Sequence, residues 1–396
     1  LPASLAGISP YMFGNCSSLA SVTVTPGITA IGDSAFIGCS SLNAISIPPS
    51  VTALGSDVFS GCLALKSASV SYGLQSIGDR AFAGCAGLQT LTLQQGLTLT
   101  GNYMFQNCTG LTTVSIPSSV TAIGDYSFMG CTGLASLTLR QGLVSIGAYA
   151  FALCAALGNV TIPASVVTIK ESVFIGCLNQ ARIDVDGANN NYSGAGGVLF
   201  NKTGSLLVSY PGGKAGRYVI SSAVKQIGAL AFTGCKKLTS ITIPSSVTSI
   251  GDFAFNGCTG LRSVTLHPGV TVIGASVFYG CTSLSRITLP SSVTSIGGYA
   301  FGNCALLLSA VIPAQVTAID TNAFYKCPGL TISCFSGSPA QAFAQQKGIP
   351  YTLLSPARLS AKAGSSAFVD NENGFIVGLE AGLTRALFEN KDITLA

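Results

Sequence analysis

Fourteen cysteines, one histidine and a few close-set carboxylates are the residues of this 396-residue chain that could do chemistry. Thirteen cysteines keep a fixed interval: Cys16, Cys39, Cys62 and onward to Cys177 are 23 residues apart, and the interval resumes from Cys235 to Cys327 after a gap of 58. Regularly spaced thiols can cross-link, bind a soft metal or pack as small apolar groups. If successive repeats stack, neighbouring thiols come within ~5 Å, inside disulfide range. Each would then have two equivalent neighbours, so pairing is arbitrary, and thirteen cannot pair completely. There is no Cys-x-x-Cys, and a lone histidine cannot complete a zinc site at the usual spacing. The ladder therefore reads as reduced, buried and apolar, with no metal and no cofactor expected. Cys334 stands off the ladder; it reads as an inward strand position, and a bridge to Cys327 has no support.

His267 follows the strand-like Val-Thr-Leu at 264–266, where most repeats carry proline. A serine-histidine-acid relay needs an orienting carboxylate, and none lies close in sequence, so His267 reads as a solvent-facing strand end. Asp184 and Asp186 in "RIDVDG" could pair or hold calcium, but no acidic loop accompanies them and a solvated strand edge is the simpler reading. Phosphate-cradling glycine motifs are missing in usable context. An enzyme is not expected.

The elements that position these residues follow from the repeat. Phenylalanine stands three residues before each of the thirteen cysteines, as in Phe36 with Cys39, Phe128 with Cys131 and Phe255 with Cys258. That spacing predicts one face of a short helical or 3₁₀ turn, and the Phe and Cys columns form the structural ladder. Eight residues before Cys the residue is Ile or Leu in twelve of thirteen repeats, Thr100 being the exception. One before Cys it is Gly or Asn in eleven of thirteen, which suits a left-handed residue closing the turn. Six before Cys, Asp33, Ser56, Asp79, Asn102, Asp125 and Asp252 can cap the turn. After Cys comes Leu, then a strand such as 241–243, whose apolar residues alternate. One coil cannot bury its Leu, Ile and Phe, but stacked coils can. The fold class expected is a β-dominated α/β solenoid, a leucine-rich-repeat array of about fourteen coils with one β-hairpin insertion.

The unit "LxxVxIPxSVxxIGxxAFxGC" resembles the BspA-like leucine-rich repeat family of bacterial surface proteins, over about residues 1–354. The segment 189–220 is similar to a hairpin insertion of that family, with strands expected at 198–200 and 206–210 and a turn at "NKTG". The resemblance implies an extracellular, cell-surface location and a binding or adhesion role. The domain reading is a solenoid over 1–354, with its insertion at about 186–219 and a cap at about 336–354. Ser338 is expected as N-cap, Pro339 as first helical residue and Gly348 as stop, followed by a final strand. Residues 355–396 read as a linker and the start of a small β-rich module, with a hairpin around "DNENG", a short helix from Thr384 and a strand at "KDITLA". The chain opens in the middle of the repeated phrase, so a fragment or mature piece of something longer is expected.

Composition narrows the partner. Charged residues are 8% of the chain, against roughly 25% for an ordinary soluble protein, and the net charge of +5 comes from 170–237, which holds eight Lys/Arg and three Asp/Glu. No basic stripe with aromatics appears, so nucleic acid is not expected, and no apolar run reaches the ~20 residues of a membrane span. In leucine-rich repeats the strands line the inner curve, so the row from Thr23, Ser46 and Ser69 through Thr92, Ser115 and Thr138 to Val311 faces a partner; a neutral ladder is the plainer reading. Long side chains break that surface: Tyr72, Gln94, Arg140, Arg182, His267 and Arg286, together with Lys202, Tyr210, Lys214 and Arg217 on or near the insertion. These are the candidate ligand-binding residues. The expected function is non-catalytic binding, by a monomer, of an extracellular protein or glycan. The alternative is a spacer that projects another module from the cell surface.

Overall fold

The computed structural model describes residues 5–70, 72–74 and 76–355, and the strands Phe368–Asn371, Phe375–Glu380 and Leu383–Phe388. The chain divides into two compact units, Leu1–Gly216 with Ile227–Lys237, and Arg217–Gln226 with Leu238–Ala396. Each is built from the β-dominated coils that the repeat predicts.

Two parallel ladders run through the coils. The first strand pairs with the equivalent strand 23 residues on, as in Ser46 opposite Ser69 and Ser69 opposite Thr92. The second is two residues long, as in Ala30–Ile31 beside Ala53–Leu54. Period-two alternation puts Ile45 and Ile47 inside and Ala44 and Ser46 outside. Between the ladders lies the phenylalanine spine. In the first unit Phe13, Phe36, Phe59 and Phe82 stack with centroids 5.1, 5.4 and 5.1 Å apart, and the stack continues to Phe174. In the second unit Phe255, Phe278, Phe301 and Phe324 do the same.

The expected helical or 3₁₀ turn before each cysteine is neither. Two residues per turn are left-handed: the one before Cys, as foreseen at Gly38 (φ 68°), and a second at Ser34 (φ 56°) that no glycine marks. Amides alternate between two uses. Ile37 and Cys39 donate within the turn, to Ser34 O and Phe36 O, while Ser34, Phe36 and Gly38 donate to Ser56, Val58 and Ser60 of the next coil. A helix would keep all these donors to itself; the left-handed breaks release every second one to join coils.

The capping carboxylates act between coils for the same reason. Asp33 Oδ1 accepts from Ser56 N at 2.7 Å and Asp125 Oδ1 from Ala148 N at 2.8 Å, each partner 23 residues on, rather than from their own turns. The thiols also bond. Cys62 Sγ donates to Phe36 O at 3.3 Å and Cys131 Sγ to Phe105 O at 3.1 Å, on carbonyls that already accept the amide of Cys39 or Cys108. Cysteine is therefore more than a small hydrophobe here: it fills the second lone pair of a buried carbonyl.

Thr100 has a partner written elsewhere in the sequence. Ser127 occupies a column that carries Ala35, Ala81 and Ala150 in other coils. Gly124 N donates to Thr100 Oγ1 at 2.9 Å, the two hydroxyls meet at 3.0 Å, and Ser127 Oγ donates to Gly101 O at 3.1 Å. Thr100→Ile or Ser127→Ala alone strands a buried polar group and should cost about 1–3 kcal/mol. The double variant should cost less than either, because no hydroxyl is left buried and Gly124 N can bond the backbone carbonyl of residue 100, as its counterpart Gly55 N bonds that of Ile31. A urea-denaturation double-mutant cycle reads this directly; additive losses would refute the pairing.

The insertion forms as expected, with strands Leu199–Asn201 and Leu206–Ser209 antiparallel. Tyr210, expected on an exposed hairpin, is instead 3% exposed. Its ring stacks on Phe232 at 4.7 Å and its carbonyl accepts Cys235 Sγ, so it stands in the spine where other coils have phenylalanine. The cap is as read: helix Pro339–Lys347, Ser338 Oγ accepting from Gln341 N, and Gly348 left-handed at φ 64°. The strand Tyr351–Leu354 then pairs with Thr331–Phe335, on which Cys334 is buried. Strands Phe368–Asn371 and Phe375–Glu380 form the hairpin around "DNENG". The helix expected from Thr384 is a strand, Leu383–Phe388, because pairing along Phe375–Glu380 overrides local propensity. The linker from 356 to 367 and the strand expected at "KDITLA" lie outside the described residues.

Candidate functional site

On the strand face of the first unit lies an open groove of about 760 Å³, lined by Leu91–Gln95, Ser115, Pro117, Ser118 and Thr138–Gln141. A smaller depression of about 430 Å³ continues it through Thr92 to Ser69 and Ser46. The floor is small and hydroxylated, because outward strand residues are Ser and Thr in register: Ser46 with Ser69, Ser69 with Thr92, Ser115 with Thr138.

Two sequence-predicted residues, Gln94 and Arg140, meet in this groove. Both stand where other coils have proline, and both are followed two residues later by glycine. The substitution has a backbone cause as well as a surface effect. Gln94 N donates to Val70 O at 3.2 Å, a bond proline cannot make. Gly142 sits at φ 105°, and a Cβ there would lie 2.3 Å from Ser118 O, so only glycine lets this coil approach its neighbour. The adjacent glutamines form the fixed walls. Gln95 Nε2 donates to Ser118 Oγ at 3.3 Å, and Gln141 Nε2 to Asp186 Oδ2 at 3.2 Å while its Oε1 accepts from Ser165 N. Sequence reasoning missed Gln95 and Gln141; the shared Gln-Gly pair was the signal that marked them. Arg140 is exposed, and among the described residues its guanidinium has no ion-pair partner.

The other candidates are placed differently. Arg182 is bound by Asp184 at 2.7 Å, which pushes the guanidinium pKa up through the hydrogen bond. Asp186 accepts from Gln141 and from Ala188 N. Lys202 donates to Asn189 O and Lys214 to Gly196 O, so both ammonium groups fasten the insertion. Tyr72 is 68% exposed at a coil corner. In the second unit, His267 is half-buried with its amide on Ile243 O, Arg286 opens the strand Arg286–Thr288, and Arg217 is exposed on the strand Gly216–Val219.

Parallel two-ladder coils around a phenylalanine spine, with a polar groove on the strand face, define a leucine-rich-repeat solenoid. The sequence matches the family described as BspA type leucine-rich repeat region over residues 1–112, 52–181, 98–206 and 214–331, and the chain belongs to that family. Solved structures agree. A leucine-rich cell-surface protein of Faecalibacterium prausnitzii is 30% identical, with a TM-score of 0.70 over 81% of this chain and 88% of that one. A leucine-rich repeat protein of Bacteroides ovatus is 25% identical, with a TM-score of 0.55 over 89% of this chain and 88% of that one. The pneumococcal vaccine antigen PcpA is 20% identical, with a TM-score of 0.69 over 85% of this chain and 94% of that one, a likeness of fold. No curated protein matches the sequence.

Proposed function

We propose that this protein is a non-catalytic binding protein of a bacterial cell surface, which engages a host or neighbouring-cell protein or glycan along the strand face of its first unit. The observation that carries the reading is the groove in which an unpaired Arg140 and Gln94 project beside rows of hydroxyls. Few charges are available for steering, so many modest hydrogen bonds would supply affinity. The cell-surface description of the Faecalibacterium relative supports the location.

The test is capture of extracellular matrix proteins and arrayed glycans by the purified full chain, with Arg140→Ala and Gln94→Ala as variants. Loss of about tenfold or more in affinity is expected for Arg140→Ala if its guanidinium meets a charged or carbonyl group. Capture indifferent to both substitutions overturns the groove. No capture of any partner favours a spacer, a reading that the strands following the terminal cap support.

A further inference from the structure

The turn surface carries tyrosines in both units, and the two sets are arranged differently. In the first unit Tyr103, Tyr126 and Tyr149 lie face to face, with centroids 4.7 and 5.0 Å apart and planes within 2°. Tyr126 spends both faces on its neighbours, and Tyr103 and Tyr149 spend one each. In the second unit Tyr279, Tyr299 and Tyr325 meet edge to face, at 6.3 Å and 75° and at 5.6 Å and 80°. Edge contacts fix the rings but leave faces open, and Tyr299 and Tyr325 are 41% and 45% exposed.

Two departures from the repeat build this cluster. Gly302 has an ordinary backbone, so no turn demands glycine there; a Cβ would lie 2.9 Å from Cδ2 of Tyr279 and 3.3 Å from Cβ of Tyr299. The missing side chain is the seat of the Tyr279 ring. Lys326 takes the left-handed position that Gly or Asn holds in most coils, at φ 54°, and its Nζ lies 5.3 Å from the Tyr325 centroid. A lysine there is strained relative to glycine. The three phenol hydroxyls and the side-chain amides of Asn303, in the coil of Tyr299, and Asn256, one coil before Tyr279, have no hydrogen-bond partner among the described residues.

The geometry points to a carbohydrate-binding platform here, with the open tyrosine faces stacking the C–H face of a neutral hexopyranose and the free hydroxyls and amides meeting its hydroxyl groups. The polarised C–H bonds of a sugar complement the negative face of an aromatic ring. A cationic guest is disfavoured because Lys326 already supplies a cation to Tyr325. This site shares no residue with the groove and does not depend on the reading of the groove.

The test uses the full chain titrated with cellohexaose, maltohexaose, mannohexaose and N-acetylchitohexaose, by calorimetry and ligand-observed NMR. At least one should bind, and Tyr299→Ala and Tyr325→Ala should weaken it by about tenfold or more. Gly302→Ala, which displaces the Tyr279 ring while keeping all three phenols, should weaken it too; Arg140→Ala should not. Circular dichroism melts establish that each variant is folded. The proposal is overturned if none of the four sugars binds, if binding survives all three platform variants, if it is lost with Arg140→Ala instead, or if a proline-rich decapeptide displaces the sugar.

Discussion

Phe128→Ala should destabilise the first unit by about 3–5 kcal/mol, seen as a lower urea midpoint. The ring is fully buried, with Phe105 at 5.1 Å on one side and Phe151 at 5.3 Å on the other. Removing it deletes apolar transfer energy, leaves a cavity that stacked backbones cannot close, and breaks two ring contacts. In a solenoid, stability is nearly a sum of coil terms and nearest-neighbour terms. Phe13, the first ring of the stack, is half-buried and among the described residues stacks on Phe36 alone. Phe13→Ala should therefore cost less than half as much. Equal losses at the two positions would show that the spine does not carry the coupling between coils.

Alkali should unfold the protein well before ordinary lysine or tyrosine titration is complete. Burial pushes the thiols of Cys62, Cys131, Cys177 and Cys304 up to about 12, from an ordinary value of 9.0. Between these limits the unfolded chain releases protons that the folded chain retains. Stability is fully present below pH 9 and falls as pH rises toward 12. Each such thiol removes up to about 1.4 kcal/mol per pH unit, so four together remove on the order of 5 kcal/mol per unit. Urea midpoints measured under reductant from pH 7 to pH 10.5 should hold to about 9 and then drop steeply. Replacing Cys131 and Cys177 with Ala should make the drop shallower while lowering stability at neutral pH, since Phe105 O and Phe151 O lose a donor. Flat midpoints across that range would contradict the burial of the ladder.

Much of this architecture was legible because the repeat prints its own register. The Phe and Cys columns, the alternating strands, the left-handed residue before cysteine and the Ser338–Gly348 cap all follow from side-chain type at a fixed offset. What escaped had no local signal. The second left-handed position holds Ser34, Arg80 or Tyr126, residues that ordinarily avoid it, because bonds to the next coil impose it. Caps that reach 23 residues forward look the same in sequence as caps that reach three. Tyr210 reads as a surface residue because its coil lacks the cysteine that marks the others. At the groove, Gln94 and Arg140 stand out because they replace the proline of other coils, while Gln95 and Gln141 lie at a position that varies from coil to coil, as Ser118, Ala164 and Ser245 show.

The contacts between coils share an arithmetic. Thr52 Oγ1 reaches a carbonyl 23 residues back, Cys85 Sγ one 26 back, and Asp79 Oδ1 an amide 23 ahead. Such partners are specified by offset and not by address. Duplication or excision of whole units during recombination hands every donor an equivalent acceptor, whereas an error of fractional length misdirects those that cross it. Lineages can therefore lengthen or trim this array in whole units without redesigning its interior.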